Sequence, residues 1–140
     1  MAFYRAAIGG GGGGQTETTL WTNSAPASNF NTQDVPLSDD YTNYKRIRFY
    51  YRFTTTDSTE TYTEYDKSII DGWVTKGTTP PAFAPLGSIA FMYGGNQFVR
   101  PIRRGASGAT NTFYVYVAYR MNTSGNTQSY GIPTKITGIN

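Results

Sequence analysis

Carboxylates at short spacing are the first place to look for reaction chemistry in this chain. Glu60, Glu64 and Asp66 lie four and two residues apart, so an extended backbone projects all three from one face. Two such groups suffice to hydrolyse a glycosidic bond, one as acid and the other as base or nucleophile. Little else in the sequence supports catalysis. Histidine and cysteine are both absent, which removes the commonest general base, the commonest metal ligand and every thiolate or Ser–His–Asp arrangement. Neither Asp39-Asp40 nor Glu60–Asp66 has the ligand order of a calcium loop. The three carboxylates are read as the solvated face of an edge strand. The chain is expected to be no enzyme and to carry no metal or cofactor.

Gly9, Gly10, Gly11, Gly12, Gly13 and Gly14 form an unbroken run. A phosphate loop needs a strand before its glycines and Lys-Ser/Thr after them; here Gln15-Thr16-Glu17 follows. A free linker and a path threaded between packed subunits both suit a backbone without Cβ. We read Met1–Ile8, with Phe3, Tyr4 and Ile8, as an anchor to an assembly, Gly9–Gly14 as its joint, and residues 15–140 as the folded domain. The apolar stretch in Met1–Ile8 is too short for a signal peptide. No run reaches the roughly 18 apolar residues of a membrane span, so no membrane insertion is expected.

Binding chemistry is better represented. Twelve Tyr, eight Phe and two Trp in 140 residues argue for a packed domain rather than a disordered one. Tyr50, Phe83, Tyr114 and Tyr116, with Arg103 and Arg104, are candidates for stacking on and hydrogen-bonding a host-surface polysaccharide, or for packing against a neighbouring subunit. Arg46, Arg48 and Arg52 alternate with aromatic residues, but are read as lying across the outside of a sheet, with no nucleic-acid role. Charge is uneven along the chain. Residues 1–71 hold all nine acidic groups against six Lys or Arg, whereas residues 72–140 hold six Lys or Arg and no acid. Either an anionic partner meets the basic half, or the two halves interleave and neutralise one another.

Strands must position these residues, because the apolar period is two almost throughout. In Lys45–Thr54, Ile47, Phe49, Tyr51 and Phe53 alternate with Arg46, Arg48, Tyr50 and Arg52. Asn111–Met121 reads as one long strand with Phe113, Val115, Val117, Tyr119 and Met121 on one face. Ser88–Gly94 is a third, and weaker strands are expected at Thr19–Thr22, Thr32–Leu37, Glu60–Ile70, Gln97–Arg103 and Pro133–Ile139. Pro101 predicts an edge position for its strand, placing Arg100, Arg103 and Arg104 near that edge. A helical turn fits only Asp66–Trp73. Short strands separated by Gly-, Asn- and Pro-rich turns predict an all-β, antiparallel, jelly-roll-like sandwich.

Two stretches carry a family resemblance. Leu20–Phe53 contains Leu-Trp-Thr-Asn, a Pro–Ser–Phe stretch, Gln-x-Val-x-Leu, Asp-x-Tyr and then an aromatic strand around Tyr44-Lys45-Arg46-Ile47. Gly131–Asn140 reads Gly-Ile-Pro-Thr-Lys-Ile-Thr-Gly-Ile-Asn. Together they resemble a recurrent module of tailed-bacteriophage structural proteins. The resemblance implies a virion component of tail, tail-fibre or head-fibre (decoration) type, often a homotrimer, whose partners are other virion proteins. It transfers no catalytic residue, and Trp21 is read as packing rather than as a ligand contact. The alternative is a carbohydrate-binding module that recognises the host surface.

Overall fold

The computed structural model describes residues 14–79, 84–121, 123 and 125–140. Phe3, Tyr4, Ile8, Gly9 to Gly13 and Phe83 lie outside the described residues, so the anchor and the loop-tip aromatic are not placed. The described chain forms β1 (Glu17–Thr22), β2 (Gln33–Pro36), β3 (Arg46–Thr54), β4 (Thr61–Asp66), β5 (Gly87–Tyr93), β6 (Asn96–Arg104), β7 (Thr112–Val115), β8 (Ala118–Arg120), β9 (Asn126–Thr127) and β10 (Tyr130–Ile139). One helical turn, α1 (Lys67–Ile70), falls within the stretch expected to hold it.

Two antiparallel sheets result, and the protein is all-β. The first has the order β1-β10-β3-β4; the second has β2-β7-β6-β8-β9, with β5 on the other side of β6. The chain enters the first sheet at β1, crosses to the second for β2 and returns for β3, an interleaving of jelly-roll type. The last strand, β10, lies between β1 and β3 and is buried along nearly its whole length, with Lys135 the exception between its ends. Thr16 and Asn140 exchange two backbone hydrogen bonds, at 2.9 and 3.0 Å, so both ends of the described domain meet at one pole.

The core follows from strand period. Ile47, Phe49 and Tyr51 of β3 face inward between outward Arg46, Arg48 and Tyr50. From the second sheet, Ile89, Phe91, Phe98, Ile102, Phe113 and Val115 meet them. Edge-to-face rings dominate one end, with Phe49 and Phe113 at 5.1 Å and Tyr65 and Trp73 at 4.9 Å. Such pairs contribute about 0.5–1.5 kcal/mol each beyond area burial. Glycine is required where backbone meets ring: a Cβ on Gly87 would lie 2.2 Å from Trp73, and one on Gly138 would lie 2.4 Å from Tyr44.

Three expectations are corrected. Asn111–Met121 is two strands, because Tyr116 and Val117 leave the ladder and the alternation changes phase: Phe113 and Val115 face inward, then Ala118 does, while Tyr119 is exposed. Pro101 is not at an edge, since β6 has β5 on one side and β7 and β8 on the other. Its carbonyl accepts the Tyr116 N–H at 2.9 Å. The missing N–H of Pro101 points to that same side, into the gap between β7 and β8, so no ladder bond is lost. Arg100 is not on an edge either. It is fully buried, and its guanidinium donates to four backbone carbonyls: Nε to Gly131 at 2.8 Å, Nη1 to Phe30 at 3.0 Å and Tyr116 at 2.7 Å, and Nη2 to Tyr130 at 2.8 Å. Burial lowers its pKa to about 9, which still leaves it charged at neutral pH.

Candidate functional site

Four of the described sequence candidates fall on the two outer faces, Tyr50 on one and Arg103, Tyr114 and Tyr116 on the other. Tyr50 lies on the outer face of the first sheet, where register builds cross-strand rows: Lys135, Tyr50 and Tyr62 form one, Thr137, Arg48 and Glu64 the next. Glu17 of β1 closes the network, accepting from the Tyr50 hydroxyl and from Thr137 Oγ1, the latter at 2.7 Å. Arg48 bridges Glu17 at 3.2 Å and Glu64 at 2.7 Å, and Arg46 reaches Glu64 at 3.3 Å. Partial burial pushes the Glu17 carboxyl up, but hydrogen bonds from Tyr50 and Thr137 and the charge of Arg48 outweigh it, and the pKa lies below the ordinary value. Tyr50 moves the other way, raised by burial and by its hydrogen bond to Glu17.

The same network takes up two of the clustered carboxylates. Glu64 is held by two arginines, Glu60 accepts from Thr134 and lies 3.8 Å from Lys135, and Asp66 is exposed. Tyr50 lies on this face between Tyr62 and Lys135, whose ammonium is 4.5 Å over its ring.

Arg103, Tyr114 and Tyr116 do come together, on the outer face of the second sheet. Asp34, Tyr114 and Arg103 form a row across β2, β7 and β6. The Tyr114 and Tyr116 rings meet edge to face at 5.0 Å. Lys76 lies 4.7 Å over Tyr114 and bonds Asp34 at 2.8 Å, while Arg103 lies 5.5 Å over Tyr116 and donates to the Thr78 carbonyl at 3.1 Å. Arg104 points the other way, into the end of the sandwich, where its Nε donates to the Trp73 carbonyl at 2.8 Å. Lys76–Asp34 and Lys135–Glu60 both join the basic half of the chain to the acidic half. Neutralisation between the halves therefore accounts for part of the uneven charge.

One concave feature was not singled out from the sequence. At the pole opposite Thr16 and Asn140, a cleft of about 180 Å³ is lined by Phe98, Arg120, Thr123, Gly125, Asn126, Thr127 and Tyr130. Phe98 and Tyr130 stack at 4.3 Å with an 11° angle between rings, forming its apolar wall. The Arg120 guanidinium lies 6.0 Å from the Phe98 ring. Among the described residues it has no carboxylate partner. Its sequence signal was the inward phase of Ala118 and Arg120, masked by the assumption of one continuous strand. Among the described residues no group of three or more Asp or Glu is placed to hold a metal ion. No protein-family model matches this chain, and no curated protein matches it in sequence.

Proposed function

We propose that the chain is a structural component of a bacteriophage particle, an all-β module displayed on the virion and attached through the segment that precedes Gln15. A homotrimer of tail, tail-fibre or head-fibre type is the form the sequence resemblance implies. What supports the reading is the way its two resembling stretches fold. Leu20–Phe53 and Gly131–Asn140 lie far apart in sequence, yet supply the adjacent strands β1, β10 and β3. The two stretches thus meet side by side in one sheet, while β2, inside the first of them, belongs to the other sheet. The pairing of Glu17, Glu60 and Glu64 with cations and hydroxyls fits a stable displayed surface better than a reaction centre.

Antibody labelling of purified particles tests this directly. Decoration at a fixed position on head, neck or tail is the expected result, and particles that lack the protein would overturn the reading. Deleting residues 1–14 tests the attachment separately. The truncated chain should fold but fail to join particles, and normal incorporation would remove the anchor from the proposal.

A further inference from the structure

We infer that the cleft between the β8–β9 hairpin and the start of β10 binds a carboxylated sugar residue, of the uronic-acid type, within an anionic polysaccharide. Arg120 carries the inference. It stands in the half of the sequence from Gly72 onward, where no Asp or Glu occurs, and it has no salt bridge among the described residues. Lys76 and Lys135 both reach a carboxylate of the other half, and Arg100 saturates itself on backbone carbonyls. Arg120 does neither. Its planar fork matches a single carboxylate in a bidentate fashion, whereas a phosphate dianion calls for more cations than this cleft offers.

The other walls select the rest of the ligand. The half-buried Tyr130 ring, backed by the buried Phe98 on which it stacks, gives an apolar surface suited to the C–H face of a pyranose. Asn126 at the rim has a side-chain amide with both donor and acceptor capacity, and Thr123 and Thr127 add hydroxyls, a set that matches neighbouring sugar hydroxyls. A volume of about 180 Å³ admits one ring, and the open mouth lets a polymer continue beyond it. The Tyr114–Tyr116 face has its lysine already bonded to Asp34. The inference does not depend on virion attachment, because it concerns the isolated chain.

The test is calorimetric or NMR titration of the full chain with a glucuronate-containing oligosaccharide and with the same oligosaccharide reduced at its carboxyl group. The carboxylated sugar should bind about tenfold more tightly than the reduced one, a difference that Arg120→Gln abolishes. Shifts confined to Phe98, Arg120, Asn126 and Tyr130 resonances would place it in the cleft, while Arg103→Gln on the outer face should leave binding unchanged. Equal affinity for the two sugars, or no binding of either at millimolar concentration, overturns the proposal. So does tighter binding of a peptide C-terminal carboxylate. If Arg120→Gln fails to fold, the two sugars on the unaltered chain still decide the matter. Particle labelling is independent of these titrations, so failure here and failure of the virion reading are told apart.

Discussion

Replacing Arg100 by Met keeps the length and most of the volume of the side chain while removing the guanidinium. Four carbonyls then lose this donor, those of Phe30 and Gly131 in buried hydrogen bonds and those of Tyr116 and Tyr130 in partly buried ones. Leaving a buried acceptor unpaired costs about 1–3 kcal/mol, and a partly buried one regains some water, so the gross loss is about 8 kcal/mol taking 3 for each buried carbonyl and 1 for each partly buried one. An opposing term exists, because a charge no longer has to be buried. The fall of the Arg100 pKa from 12.5 to about 9 corresponds to about 5 kcal/mol at 1.36 kcal/mol per unit. The difference, about 3 kcal/mol, is the expected destabilisation of Arg100→Met, a large part of a typical domain's 5–15 kcal/mol. Arg100→Lys should be no better than Arg100→Met. A lysine retains the cost of burying charge but offers a compact, strongly hydrated ammonium in place of a fork that reaches four acceptors. Urea unfolding followed by tyrosine and tryptophan fluorescence measures both variants. An Arg100→Met midpoint equal to or above the parent's would show that the buried charge costs more than its hydrogen bonds return, and the reasoning would fail.

The remaining expectations concern packing and pH. Gly87→Ala places a methyl carbon 2.2 Å from Trp73, and overpacking of that kind costs about 1–3 kcal/mol; an unchanged melting temperature would contradict the packing described. Tyr41 has its pKa raised to about 12, by burial first and by its 2.7 Å hydrogen bond to Asp71 second. A folded value above the unfolded value of 10 means stability that is present below pH 10 and lost as pH rises towards 12. The loss is about 3 kcal/mol, and Tyr41→Phe should flatten that limb of a denaturation profile. In acid the sign reverses. Glu17, Asp39 and Asp71 titrate below their ordinary values, so their contribution is present above the unfolded pKa and disappears as pH falls. Acid unfolding monitored by circular dichroism should show stability declining below about pH 4.

Legibility in the sequence varied with how many forces agreed at each residue. Ile47, Phe49 and Tyr51 were readable because charged or polar residues separate them, so only one face can be buried. Asn111–Met121 misled because Tyr114, Tyr116 and Ala118 make its second face apolar too, and a change of phase then leaves no trace. Arg100 was readable in principle, since it shares the period of Phe98 and Ile102. The proline beside it argued for an edge, and the local rule lost to a gap between β7 and β8 that only long-range pairing creates. Candidate binding residues fared similarly. Arg103, Tyr114 and Tyr116 converge because β6 and β7 are neighbours, whereas Tyr50 and Arg104 were grouped with them on residue type and face elsewhere. The cleft joins residues 98, 120, 126, 127 and 130 across four connections, and no spacing rule encodes that.

The meeting of Thr16 with Asn140 has a mechanical consequence. Pulling those two ends apart peels β1 from β10 as a zipper opens, breaking ladder bonds one at a time and requiring little force. A load applied between the glycine-rich end and the opposite pole runs along the strands instead. It stretches the same hydrogen bonds sideways and together, since ladder bonds lie across the strand direction. The module is thus weak to separation of its ends and strong under tension along its length.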